Sequence, residues 1–348
     1  MSIGAILNRF SGDRLGLISV FYIVVMTFIA AFAYKLAPDS SPNANQMHLS
    51  IHSRPPGFST KILILPNSNF QEGSEEIAIE KLLWKQDKLF YQAYGTSKAY
   101  LQLVNLNRYP IETTYKQVED LYISKKKFIL GTDKYGRDLL SRVLIGSRIS
   151  ISIGFVAVLI SLLVGVFIGA LAGYFGGKLD RFMVWFINVI WSIPTLLMVI
   201  AITLALGKGY WQVFIAVGLT MWVEVARVVR GQVISVKEKT FIKAARVLGY
   251  SNYRILVKHI LPVIIPPLIV ISAANFASAI LIESGLSFLG IGAQPPVPSW
   301  GGMIKDHFRY ILLGKPYLAI VPGISIMSLV FAFMTLGNSL RDALDVKI

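Results

Sequence analysis

Few side chains in this 348-residue sequence stand at the spacings that covalent chemistry needs. His48 and His52 are four apart, which on a helix would turn two imidazoles to one face as metal ligands. They fall in a Pro-, Ser- and Asn-rich stretch, 38–60, that reads as a linker, so they are taken as a chance pair and no metal site is expected. Cysteine is absent, which removes disulfides, thiolate zinc sites, iron–sulfur clusters and cysteine nucleophiles. There is no Gly-x-x-x-x-Gly-Lys-Ser/Thr loop to cradle a nucleotide phosphate, and no Ser/His/Asp or paired-carboxylate set within the apolar runs. One charged cluster is Gly131-Thr132-Asp133-Lys134-Tyr135-Gly136-Arg137-Asp138, followed by Ser141-Arg142. One reading of it is capping by Thr132 or Asp133, with an Asp138–Arg142 pair one turn apart.

Composition names the solvent. Hydrophobic residues make up 54% of the chain and charged residues 15%, against about 25% charged in soluble domains. The mean hydropathy is +0.60. So much apolar surface does not fit inside one water-soluble core, so a soluble enzyme is excluded and a bilayer is implied. Charge-free runs at 15–34, 149–177, 182–207, 260–282 and 316–340 reach the ~20 residues a span needs, and a shorter one at 209–223 ends before Glu224 and Arg227. The run 284–304 holds Pro295, Pro296 and Pro298 among glycines and reads as an irregular or re-entrant loop. With a cytoplasmic N-terminus, the inside segments carry 14 Lys and Arg, and the two short outside loops, one of them holding Lys208, carry four. Most of the net charge of +15 is thus a topology signal rather than a nucleic-acid surface. The expected fold class is an all-α polytopic membrane protein with six transmembrane helices and both termini cytoplasmic. Arg9 and Arg14 before Ala31-Phe32-Ala33 also fit a cleavable signal peptide, but the run exceeds the ~7–15 residues of a signal core, which favours a retained anchor.

Three parts follow: an anchor helix and linker over 1–57, an extracytoplasmic insert over 58–130, and a helical core over 131–348. The insert reads as a small mixed α/β domain. Ile62–Leu65, Lys88–Tyr91 and Tyr122-Ile123 are its strand candidates, and 75–86 is its helix. Glu224 and Glu283 sit at the ends of the predicted spans, so no acid or base lies deep inside one. Self-powered carriers usually need such groups as relays. Energy for any transport must then come from a partner.

Ala157, Ser161, Gly165, Gly169 and Gly173 repeat every fourth residue and form one stripe of small side chains. It fits either packing within the chain or a face for a second membrane subunit. The segment 224–259 is basic and punctuated: Thr240 can cap a short helix, Ala244-Ala245 smooth its surface, Gly249 stops it, and Ser251 starts another toward Leu261-Pro262. It fits either an ordinary positive-inside loop or two projecting helices that dock in another protein. Prolines 194, 262, 266, 267 and 322 are candidate bends.

Lys243-Ala244-Ala245-x-x-x-Gly249 with Ile260-Leu261-Pro262 resembles the EAA loop of ABC-transporter permeases that work with a binding protein. Gly131–Asp138 with Ser141-Arg142, and Leu286-Ser287-Phe288-Leu289-Gly290-Ile291-Gly292 with Pro295-Pro296-x-Pro298-Ser299-Trp300-Gly301, resemble the peptide/nickel branch. Arg54-Pro55-Pro56-Gly57 and Gly173-Tyr174-Phe175-Gly176-Gly177 before Asp180-Arg181 match as well. The likeness covers 1–57 and 130–348 and is that of a C-type dipeptide/oligopeptide permease subunit. Lys243 stands where the family has Glu, and Gly285 where Ala is common. The resemblance implies a bacterial inner-membrane protein paired with a homologous permease, as a heterodimer. Two ATPases would carry ATP and Mg, and an external binding protein would deliver a peptide; this chain would hold no cofactor. Thr240, Lys243, Ala244, Ala245, Gly249, Leu261 and Pro262 would form the coupling segment, with Ala244, Ala245 and Gly249 in the ATPase groove. Gly131, Thr132, Asp133, Gly136, Arg137 and Asp138 would meet the binding protein or form an outer gate. Ser272, Asn275 and Glu283 are pathway candidates. Nickel or another small solute is the alternative cargo, and a self-powered carrier or channel the more distant one.

Overall fold

The computed structural model describes residues 9–66, 75–96, 100–110, 113–207 and 209–344; Lys208 lies outside the described residues. The chain forms two compact units. One comprises Met1–Ala33, Gly146–Asp306 and Val321–Ile348, the other Tyr34–Ile145 and His307–Ile320.

In chain order the elements are α1 (Arg14–Ala31), β1 (Phe58–Leu65), β2 (Glu75–Lys85), β3 (Lys88–Ala93), β4 (Gln102–Leu103), α2 (Tyr115–Tyr122) and β5 (Ile123–Phe128). They continue with α3 (Leu139–Phe175), α4 (Gly177–Trp191), α5 (Thr195–Leu206), α6 (Tyr210–Lys237) and α7 (Thr240–Val247). The last are α8 (Asn252–Leu289), α9 (Trp300–His307) and α10 (Tyr317–Leu344). Among the described residues five helices are long and apolar enough to span a bilayer, and six spans result if the bent pair α4–α5 counts as one.

The spans depart from the sequence expectation in four places. The run 182–207 is not one helix: α4 and α5 meet at 87°. The break falls at Ser192-Ile193-Pro194, where proline has no N–H to continue the ladder and the Ser192 hydroxyl donates to the Val189 carbonyl. The run 209–223 does not stop at Glu224, because α6 continues to Lys237 and carries Glu224, Arg227 and Arg230 within it. The fifth span is longer at both ends. Residues Leu256–Ile260 widen into a π turn just before Pro262, and Pro266 and Pro267 lie inside the continuing helix. That helix runs to Leu289 and ends at Gly290, whose φ is 83°. The segment 284–304 is therefore irregular only over 290–299, between the end of α8 and the start of α9. Glu283 is thus not at a helix end.

The helical unit is assembled by close backbone approach. The stripe of α3 faces α6 of the same chain: a Cβ on Gly165 would collide with Trp222 O and Val225, on Gly169 with Ala226 O and Val229, on Gly173 with Arg230 O and Val233. Ala157 lies in the core cluster with Val213, Phe214 and Val217, and the Ser161 hydroxyl is absorbed by the Val158 carbonyl. Of the two readings of this stripe, packing within the chain is the one observed. Around it Val225, Val229, Val233 and Val236 of α6 share one core with Ile242, Ala245, Ile255 and Ile260.

The second unit holds a five-stranded sheet in the order β4-β3-β2-β1-β5, every pairing antiparallel. Residues 75–85 are strand, not helix. Glu, Lys and Leu favour a helix locally, but Ile77, Ile79 and Leu82 pack with Leu63, Leu65, Leu89 and Tyr91, and that burial outweighs propensity. Gln86 and Asp87, both at positive φ, close the β2–β3 hairpin. The helix of this unit is α2, opened by a Thr114–Gln117 capping box, and Tyr122 ends it before β5 begins. Residues 38–57 are not a free linker, since Ala44, His48, Ile51 and Ser53 are buried.

The α3–α6 contact gives a direct test. Gly169→Val should cost about 1–3 kcal/mol through overpacking and lower the monodisperse fraction in detergent on heating. Gly231→Ala, at a position with nothing within 4 Å, should be neutral or slightly stabilising in the same melt.

Candidate functional site

The short helix α7 is a platform. Lys239 is its N-cap, with no side-chain cap bond, so Thr240 is the first helical residue and not the cap. At the other end Gly249 takes φ 77°, with its N–H on the Arg246 carbonyl and the Tyr250 N–H on the Ala245 carbonyl. That pair of bonds is a Schellman stop, which needs a left-handed residue. Ser251 Oγ then accepts from Arg254 N and opens α8 as expected. Ile242 and Ala245 point into the chain, Ala245 only 5% exposed. The Ala245 side chain is therefore not available to a partner groove. The side turned outward holds Phe241, Ala244, Val247 (88% exposed), Leu248 (70%) and Tyr253 (76%). Of these the sequence singles out Ala244; Phe241, Val247, Leu248 and Tyr253 escape it because it follows the two alanines, and a helical wheel seeded on Ile242 separates the faces. Lys243, where an acid was expected, lies 3.2 Å from Glu238 in an exposed pair. Leu261 and Pro262 sit between two and three turns inside α8, directly after the π turn.

The Gly131–Asp138 residues are brought together, but as a buried knot. Asp133 Oδ1 accepts from the N–H groups of Tyr135 (2.8 Å) and Arg137 (3.0 Å), and Oδ2 from Arg137 Nε (2.6 Å). Arg142 Nε stands 3.8 Å from the same carboxylate, and Arg137 Nη1 donates to Asn45 Oδ1. The Thr132 hydroxyl donates to the Ile51 carbonyl and accepts from Arg54 N. The helix is capped by neither Thr132 nor Asp133: Asp138 Oδ2 accepts from Ser141 N and from the Ser141 hydroxyl. Burial pushes the Asp138 carboxyl up, against those two hydrogen bonds. Gly131 and Gly136, at φ 81° and 74°, let the turn press on the backbone of Arg54-Pro55 and His48, where a Cβ would collide. The charged side chains Asp133, Arg137, Asp138 and Arg142 are buried, and Tyr135 is the exposed member of the run.

His48 and His52 are separated. His48 is buried with Nε2 2.8 Å from Glu76 of β2, and His52 faces outward. That hydrogen bond, more than Lys126 at 3.8 Å, holds the Glu76 carboxyl below its ordinary value. Among the described residues no three metal-ligating side chains group together.

Of the pathway candidates, Ser272 bonds back to the Leu268 carbonyl and is only partly buried. Asn275 and Glu283 are buried, 2% and 1% exposed. Glu283 Oε1 accepts from the Ser287 hydroxyl at 2.6 Å, and that Ser287 oxygen accepts from Ala293 N. Asn275 Nδ2 and Glu283 Oε2 have no hydrogen-bond partner among the described residues. Glu283 in α8 and Glu224 in α6 thus lie within their helices and not at the helix ends. A cavity of about 330 Å³ is lined by Trp191 at the α4–α5 break, Thr195, Thr220, Glu224, Ser278 and neighbouring apolar side chains. Arg227, one turn beyond Glu224, donates to Asn188 Oδ1 (2.6 Å) and lies 3.6 Å over the Trp191 ring.

Residues 165–348 match the family model described as binding-protein-dependent transport system inner membrane component. The chain is 39% identical over 219 residues to the glutathione transport system permease protein GsiD of Pectobacterium atrosepticum, covering 63% of this chain and 72% of the relative. It is 41% identical to the oligopeptide transport system permease protein OppC of Haemophilus influenzae, covering 62% and 70%. Against OppC of Bacillus subtilis it is 35% identical over 287 residues, covering 79% and 93%. The chain belongs to the binding-protein-dependent transport system inner membrane components. It is a permease subunit of an ABC importer and a multi-pass protein of the cytoplasmic (inner) membrane, and the family implies ATPase and substrate-binding-protein partners.

The Glu76–His48 contact sets a pH dependence. A carboxylate held low contributes stability above its unfolded value, here 4.5, and loses it as pH falls through the lower folded value. Hydrogen exchange at β1 and β2 amides, corrected for its intrinsic pH dependence, should therefore accelerate below about pH 4.5 in the native protein. Glu76→Gln should exchange faster at neutral pH and show a flatter acid slope.

Proposed function

We propose that this chain is the C-type half of a heterodimeric permease that imports di- and oligopeptides. Its relatives carry oligopeptide, dipeptide and glutathione transport in their names. Two ATPases would bind ATP and Mg and hydrolyse it, this chain holding no nucleotide and no cofactor of its own. With both termini cytoplasmic, α7 and the start of α8 face those ATPases, and the insert lies on the outer side, where a binding protein delivers the peptide.

The observation that carries this reading is the outward surface of α7 and the start of α8: Phe241, Ala244, Val247, Leu248 and Tyr253 stand exposed on a platform whose other side is locked into the core of α6. Exposed apolar side chains on a rigid, basic, capped element are what a partner groove buries. In this reading Lys243 stays paired with Glu238 and Ala245 acts from inside, by holding the platform. The Gly131–Asp138 knot shapes the head of α3, and its exposed Tyr135 is the group that would meet the binding protein.

Co-purification of the tagged chain in mild detergent should recover two ATPases and a second permease, and the reconstituted complex should import a peptide. Recovery of the chain alone, or import of nickel in place of peptide, overturns the proposal. Val247→Asp should reduce ATPase co-purification and import at least about tenfold, the scale of losing one interface anchor, with an unchanged elution profile. Ala245→Arg should instead reduce the folded yield, because it buries an unpaired charge.

A further inference from the structure

The cavity at the α4–α5 break carries a chemistry that ATPase docking does not explain. Its walls are mostly apolar, with Trp191, Met198, Met221 and Leu281 among them, and among the described residues Glu224 is the one ionisable side chain that lines it. Glu224 is exposed on a membrane-spanning helix and makes no ion pair among the described residues. A carboxylate there is stable only toward water, a cation or a polar surface, not toward lipid. The helix direction agrees: Trp222, Val225, Ala226 and Val229 of α6 are turned to α3, which leaves Glu224 on the opposite side. Arg227 does not neutralise it, being held on Asn188 and the Trp191 ring.

Resting on the peptide reading above, we propose that this cavity is a station on the translocation pathway for a primary ammonium group. Glu224 accepts hydrogen bonds from the N-terminal ammonium of the peptide, and the apolar walls around Trp191 take up its first side chain. One carboxylate with a guanidinium a turn away is a poor divalent-metal site, which needs several oxygen or nitrogen ligands. It suits a monovalent, hydrogen-bond-donating cation with an apolar neighbour. The volume, about 330 Å³, is within the range of small-ligand sites.

The test uses the complete transporter in proteoliposomes with its binding protein, and trialanine as the probe. Glu224→Gln should slow trialanine import at least about tenfold, the scale of one lost charge-assisted hydrogen bond, while the complex still co-purifies intact. Glu224→Asp should restore most of the rate, which a purely steric role would not require. The preference of the native complex for trialanine over N-acetyl-trialanine should shrink in Glu224→Gln. Equal trialanine import by Glu224→Gln and the native protein overturns this inference alone. Loss of the second permease from Glu224→Gln also overturns it, by placing Glu224 at the subunit interface. Failure of the native complex to import any peptide overturns it together with the peptide reading.

Discussion

The approach of α3 to α6 without intervening side chains is the constraint on which the helical unit depends. In lipid there is no hydrophobic gain in bringing two apolar helices together, so association rests on packing, and packing is best where Cβ atoms are missing. Gly165, Gly169 and Gly173 meet that condition against Trp222, Ala226 and Arg230. The contact also sets the rotation of α6. With one side committed to α3, Glu224 and Arg227 are turned away from it, toward Trp191 and the broken α4–α5 span. A charged residue near the centre of a span costs about 2.5–3.5 kcal/mol on insertion scales when it faces lipid, so this rotation matters to stability as well as to function.

The same helix reaches the proposed coupling surface. Val225, Val229, Val233 and Val236 share a core with Ile242, Ala245, Ile255 and Ile260, so α6, α7 and the start of α8 are packed as one body. A push on Val247 or Leu248 is thereby delivered to α6 through contacting side chains rather than through a loose loop. Close-packed interiors transmit such displacements with little loss. Capping at Gly249 and Ser251 removes the slack at the corner between α7 and α8.

How much of this was legible in the sequence divides by mechanism. The Gly249 stop, the Ser251 start and the small-residue stripe are local signals, and each is found where composition and spacing placed it. The errors arose where a distant contact decides. Glu75–Lys85 has helix-forming residues but is strand because β1 and β3 bury its isoleucines. The end of α6 was drawn at Glu224 because charge was taken as the edge of the membrane, whereas the helix carries its charges inward. Ala245 reads as a contact surface in one dimension and as core in three. The outward apolar side chains of α7 and the Glu224 cavity have no sequence motif of their own; they are visible only once α6 has an orientation.

The first and last spans also meet. Tyr22 of α1 shares a 2.6 Å hydrogen bond with Ser328 of α10 across 306 positions, and Gly16 lies against Ser339. The rest of α1 is largely exposed, with Leu15, Ile18, Phe21 and Val24 all facing outward. The Tyr22–Ser328 contact therefore forms only when both α1 and α10 have been inserted. Until α10 is in place the Tyr22 hydroxyl lacks this partner. A chain interrupted before α10 lacks this contact, so closure of the helical unit depends on two elements far apart in the sequence.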